Sequence, residues 1–173
     1  MADSAANTRH AEILIIGSGP AGWTAGIYGA RAMRDVLVVT GIQPGGQLTI
    51  TTDVENYPGF TEIQGPELMV KMQEHAEAMG AKVADDHIAS VDFDVRPFRA
   101  IGESGTVYTA DSVVISTGAQ AKWLDLPTEQ KFKGFGVSAC ATCDGFFYRG
   151  REVLVVGGGN TAVEEALFLT NFA

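Results

Sequence analysis

Two glycine turns, beginning 140 residues apart, constrain this chain more than any other feature of it. Gly17, Gly19 and Gly22 fit G-x-G-x-x-G, and Gly157, Gly159 and Ala162 fit the G-x-G-x-x-A variant. A phosphate-binding turn needs small residues at these places for three reasons. The first permits a tight turn, the second lets backbone approach a pyrophosphate, and the third lets helix and strand pack closely. The helix that follows offers free N–H groups and the positive end of its dipole to an anion. Such a motif is weak alone. Here each copy follows an apolar, β-branched run (EILII at 12–16, REVLVV at 151–156) and opens a helical pattern, which is the context it requires.

The first turn continues into a helix over 23–34 and a buried strand over 36–40, completing a βαβ unit. Residues 41–60 are glycine-rich, polar and aperiodic, a loop long enough to imply a task. A helix is predicted over Pro66–Met79, with Leu68, Met69, Met72, Ala76 and Met79 on one face. The runs AKVA, HIASVDF, RPFRAIG and TVYTA within 81–110 fit a small antiparallel excursion. SVVISTGA at 112–119 returns to a buried strand, and 120–134 reads as linker and loop. The second glycine turn starts the pattern again, and the strand that would complete that unit lies beyond Ala173. The domain boundary falls near 119–123.

Composition narrows the function. The 173 residues carry 21 acidic and 12 basic side chains, a net charge of −9. That balance disfavours nucleic acid and anionic lipid, which need clustered Lys and Arg. No apolar run is long enough to span a membrane. Residues 1–11 are polar and lack the apolar stretch of a secretory signal, so the cytoplasm is the expected location.

Cys140 and Cys143 are the only cysteines. In a reducing compartment a C-x-x-C pair is catalytic or metal-binding more often than structural. Structural zinc needs four ligands, and His10, His75 and His87 are scattered, so no metal site is expected. The redox reading needs two nearby thiols, one of them prone to ionise, and a proton source. Asp144 is a general acid if burial raises its pKa, or else a helix cap beside the motif.

An acidic ribose partner is expected about 20 residues past the first glycines, but Thr40 and Gly41 stand there. This disfavours plain NAD at the first site against a flavin dinucleotide held by other contacts.

The motifs converge on one family. GSGPAG at 17–22, TGIQPGGQLT at 40–49, VENYPGF at 54–60, STGA at 116–119, SACATCDGFFY at 138–148 and VVGGGNTAVEEA at 155–166 together resemble the low-molecular-weight, bacterial-type thioredoxin reductases. The resemblance covers nearly the whole chain but only the N-terminal half of a family member. It implies an α/β architecture: a Rossmann-like FAD-binding domain over 1–119, with a parallel sheet and a small antiparallel excursion. The beginning of a second, Rossmann-like NADPH domain would follow over 120–173.

The resemblance also implies roles. Gly17, Ser18, Gly19, Pro20, Ala21 and Gly22 would hold the FAD pyrophosphate. Thr40, Gly41, Gln43, Gly45, Gly46 and Gln47 would wrap the adenosine and ribityl region. Asn56 would approach the flavin ring, and Thr117, Gly118 and Ala119 are further cofactor contacts. Gly157, Gly159, Asn160, Thr161 and Ala162 would form the NADPH phosphate turn. Cys140 and Cys143 would be the redox disulfide, with Cys143 on the flavin side, Cys140 attacking thioredoxin, and Asp144 the general acid. The full-length protein would be a homodimer whose NADPH domain rotates about a hinge near 119–123. Two alternatives remain: a non-catalytic flavin- or partner-binding fragment, and the flavoprotein reductase of a peroxidase system.

Overall fold

The computed structural model describes residues 7–173, so most of the 1–11 segment lies outside the described residues. The described chain forms two compact units that meet in sequence at Ala119 and Gln120.

The first unit is built on a six-stranded sheet. Its elements are β1 (Thr8–Ile16), α1 (Pro20–Arg31), β2 (Val36–Val39), β3 (Asp53–Val54), β4 (Ile63–Gln64), α2 (Gly65–Ala78), β5 (Lys82–Ala84), β6 (Ile88–Asp92), β7 (Phe98–Gly102) and β8 (Val107–Ile115). The strand order is β5-β2-β1-β8-β7-β6. The first four strands in that order are mutually parallel, while β8-β7-β6 run antiparallel. β3 and β4 make a separate two-stranded antiparallel ribbon.

Successive side chains of a strand point to opposite faces, and here both faces are covered. Ile15, Val36 and Val38 join Trp23 and Ile27 of α1 and Leu68, Met69, Met72 and Ala76 of α2 in one core. Leu14, Ile16, Leu37 and Val39 join Ala100, Tyr108 and Ala110 in a second. Burial of each Val, Leu or Ile in such cores contributes roughly 1.5–3 kcal/mol. This double burial is why the strands read as continuous apolar runs rather than alternating ones. The methionine stripe of α2 is ordinary core. α1 lies tight on the sheet because its inner face is small: a β-carbon on Gly29 would come within 2.8 Å of Val36.

Three sequence expectations need correction here. AKVA belongs to the parallel part of the sheet, since β5 pairs with β2 in register Val38 to Val83. TVYTA and SVVI are one continuous strand, β8. The 120–134 linker holds a short helix, α3 (Pro127–Phe132).

The second unit continues with α4 (Ala141–Asp144), a 3-10 turn at Gly145–Tyr148, and α5 (Asn160–Leu169). The predicted strand at 151–156 is not formed. A strand exists through hydrogen bonds to a neighbour, and among the described residues this unit supplies none. Leu154 stays 88 % exposed and Leu167 72 %. Packing is instead local: α4 leads into Gly145, which sits against Leu169 and Phe172.

Among the described residues, no helix is long and apolar enough to cross a membrane.

Candidate functional site

The carboxyl ends of four parallel strands gather the first site. β1 delivers Gly17, β2 delivers Thr40, β5 delivers Asp85 and β8 delivers Ser116. Open α/β sheets bind ligands at this end. Backbone bonds stitch the ends together: Gly17 N–H donates to Val39 (2.9 Å), Thr40 N–H to Ala84 (3.0 Å) and Ser116 N–H to Ile16 (2.9 Å).

The three small positions of the turn differ physically. Gly17 has φ +106°, a conformation that L side chains rarely adopt, and a β-carbon there would fall 2.3 Å from the Ser116 carbonyl oxygen. Gly22 is packed against Gly17 just as tightly. Gly19 is the contrast, because a β-carbon on it meets nothing within 4 Å. Gly19 caps the N-terminus of α1, and Pro20 opens the helix where its missing N–H costs nothing. The turn therefore leaves an open backbone shelf at a helix N-terminus. It fits a dinucleotide pyrophosphate: space where the anion approaches, crowding where the fold must hold.

Ser18 shows how the shelf is fixed. Its hydroxyl is buried, donates to the Thr40 carbonyl at 2.8 Å and accepts from Gly45 N–H at 3.0 Å. The side chain thus ties the turn to β2 and to the following loop, and only its backbone remains for an anion. The loop passes close beside the turn, with a β-carbon on Gly46 reaching 3.5 Å from Gly19 Cα. Gln43 braces this loop through Gly46 O (3.2 Å) and Thr49 Oγ1 (2.9 Å). The structure thereby brings Gly17, Ser18, Gly19, Gly22, Thr40, Gln43, Gly45 and Gly46 together. Gln47 and Asn56 are exposed on the same long connection, and Thr117, Gly118 and Ala119 are exposed after β8.

Three residues outside the sequence-predicted set support this end of the sheet. Ser116 Oγ donates to the carbonyls of Ile16 (3.0 Å) and Gly17 (3.1 Å). Asp85 accepts from Thr40 Oγ1 at 3.2 Å. Asp86 is a clasp: its carboxylate accepts from Tyr108 Oη (2.8 Å), Ser104 Oγ, and the N–H groups of His87 (2.8 Å) and Ser104 (3.1 Å). Its carbonyl accepts from Gly41 N–H at 2.9 Å. Burial pushes the Asp86 pKa up, but these donors outweigh it and hold the carboxyl at about 2. Burial, then the neighbouring carboxylate, pushes the Tyr108 phenol up. Asp85 and Asp86 follow β5 in sequence, and only the β2–β5 register reveals that they stand beside Thr40 and Gly41.

In the second unit Cys140 and Cys143 form a disulfide, with Cα atoms 5.3 Å apart. Cys140 caps α4 and is half-buried, while Cys143 is exposed. Cys140 N–H donates to Ser138 Oγ at 3.0 Å, and Cys140 Sγ lies 3.4 Å from Thr142 Oγ1. Asp144 is half-buried, and its N–H donates to the Cys140 carbonyl at 3.1 Å, closing the turn of α4. The second glycine turn opens α5, with Gly157 at φ +143° and its β-carbon position 2.9 Å from Ala162 Cβ. Gly159 caps the helix, and Asn160 and Thr161 stand exposed in its first turn.

A strand-end glycine shelf, a C-x-x-C disulfide and a second glycine turn form an ordered set. The sequence profile of the pyridine nucleotide-disulphide oxidoreductases matches residues 11–173. The chain belongs to that family. Within the family it is 59 % identical to a thioredoxin reductase of Rickettsia conorii over 163 residues, covering 94 % of this chain and 53 % of the relative. It is 56 % identical to a protein of Pseudomonas fluorescens named glucosaminate ammonia-lyase, over 95 % of this chain and 52 % of that one. Among solved structures, thioredoxin reductase from Giardia duodenalis superposes with a TM-score of 0.89 at 46 % identity, covering 95 % of this chain and 54 % of that one. The chain spans about half the length of these family members.

Proposed function

We propose that this chain is the disulfide-bearing half of an NADPH-dependent, FAD-containing thioredoxin reductase. Residues 1–119 are the FAD-binding domain, and 120–173 the start of the NADPH-binding domain. The observation that carries this reading is the Cys140–Cys143 disulfide placed directly before a second dinucleotide turn. An ammonia-lyase has no task for such a pair, so the disulfide favours the reductase among the names its relatives bear.

The backbone at Ser18, Gly19 and Ala21 would hold the pyrophosphate, and the loop at 40–47 would enclose the adenosine side. Gly157 to Ala162 would hold the phosphates of NADPH. FAD, when bound, relays the electron pair of NADPH toward the disulfide. Opening the Cys140–Cys143 bond takes up two electrons and two protons and leaves two thiols. Asp144, next to Cys143, donates one of the protons, and the hydride of NADPH accounts for the other. Cys140 then attacks a sulfur of oxidised thioredoxin as the thiolate, forming a mixed disulfide. Cys143 attacks Cys140, restoring the intramolecular bond and releasing thioredoxin as its dithiol. The complete enzyme works as a homodimer in the cytoplasm.

The exchange step is reversible, which gives its test. The oxidised chain is incubated with excess reduced thioredoxin, quenched in acid, alkylated and weighed. The expected result is two alkyl groups, on Cys140 and Cys143, with matching oxidation of thioredoxin. A pair that dithiothreitol reduces but thioredoxin does not would overturn the partner.

A further inference from the structure

The acidic residue missing from the end of β2 is supplied from the neighbouring strand. A dinucleotide turn of this type pairs with a carboxylate at the end of the second strand, where it accepts hydrogen bonds from the adenosine ribose. β2 ends at Val39 and is followed by Thr40. β5 pairs in parallel with β2, Val39 opposite Ala84, so Asp85 emerges beside Thr40. Thr40 Oγ1 donates to Asp85 Oδ1 at 3.2 Å.

This position is held firmly. The Thr40 N–H is spent on Ala84 and its carbonyl on the hydroxyl of Ser18, a residue of the glycine turn itself. Asp85 is exposed and makes its bond through one oxygen. Asp86, one residue on, has both oxygens committed to Ser104, Tyr108 and His87. Of the two carboxylates, Asp85 is the one that keeps acceptor capacity, and it stands beside Thr40 at the carboxyl ends of β2 and β5.

The chemistry of the pair is specific. An ionised carboxylate only accepts, and the Thr40 hydroxyl, its proton given to Asp85, is also left to accept. A ribose diol brings two donors to these acceptors. A ribose 2′-phosphate would instead bring a dianion against an anion. Resting on the placement of FAD at the first turn, we propose that Asp85 is the acceptor for the adenosine ribose hydroxyls there. It is the residue that admits an unphosphorylated dinucleotide.

The test is a titration followed by quenching of flavin fluorescence, using the 173-residue chain, D85N and D85A. Two ligands are compared: FAD, and an FAD analogue whose adenosine lacks both ribose hydroxyls. The expected result is that each substitution weakens FAD roughly tenfold, the scale of one hydrogen bond to a charged acceptor. The analogue should bind the unchanged chain about as weakly, and the substitutions should cost it little more. The analogue arm reads the interaction without altering the protein, so it stands even if a variant misfolds. Equal FAD affinity in the chain and both variants would overturn the role of Asp85 while leaving FAD in place. Absence of FAD binding by the unchanged chain would overturn the placement of FAD and the role of Asp85 together.

Discussion

Gly22 lies so close to Gly17 that a β-carbon on Gly22 would stand 1.9 Å from the Gly17 carbonyl oxygen. The first turn of α1 is thereby pressed onto the end of β1. This fixes where the helix N-terminus points, and with it the open backbone at Gly19. The third glycine of the motif acts through packing, whereas the second acts through the empty space beside it.

Gly22→Ala should therefore destabilise the first unit without touching a ligand. The obstacle is backbone, which cannot swing aside as a flexible side chain would. Overpacking of this kind costs about 1–3 kcal/mol. Urea denaturation should show a lower midpoint with an unchanged slope. An unchanged midpoint would mean that α1 shifts freely on the sheet.

Asp86 should make stability depend on acid. Its folded pKa of about 2 lies below the ordinary 3.8. Its contribution is thus fully present above about pH 4 and is lost as pH falls toward 2. Solvent screening trims the contribution to the order of 1 kcal/mol. Asp86→Asn, which sets a donor amide against the Ser104 and Tyr108 hydroxyls, should cost about that much at pH 6. The gap between variant and parent should close between pH 4 and 2, measured by denaturant unfolding at each pH.

The Cys140–Cys143 disulfide should be reversible. Denaturing alkylation of the oxidised chain should add no label, and prior reduction should expose two reactive thiols. Removal of the reductant in air or with oxidised glutathione should abolish labelling again. Permanently free thiols in the folded, oxidant-treated chain would remove the redox assignment.

Much of the first unit was legible because its signals are local. Gly17, Gly19 and Gly22 between an apolar run and a helical pattern need no distant information. The Met69 and Met72 face of α2 follows from helical period alone. What was illegible depends on partners across the sheet. Four residues, AKVA, cannot announce whether their neighbour is β2 or β6. REVLVV has the composition of a strand, but composition does not supply the hydrogen-bonding neighbour that a strand requires. The same limit hid Asp85 and Asp86. Counting about 20 residues along the chain from the glycines leads to Thr40, while the carboxylates arrive beside it from β5. Ser18 was legible as a member of the turn, but the commitment of its hydroxyl to Thr40 and Gly45 needed the fold of the 41–46 loop.

The backbone shelf at Gly19 is proposed to receive the pyrophosphate of FAD. The most direct measurement is FAD titration of the chain and of Gly19→Val, each checked for native secondary structure by circular dichroism. The open space at Gly19 predicts that Gly19→Val folds as the parent does, because a β-carbon there meets no protein atom within 4 Å. The valine side chain would fill the place proposed for the pyrophosphate, so the affinity for FAD should fall at least a hundredfold from parent to variant. A folded Gly19→Val chain that bound FAD as tightly as the parent would contradict this placement of the pyrophosphate.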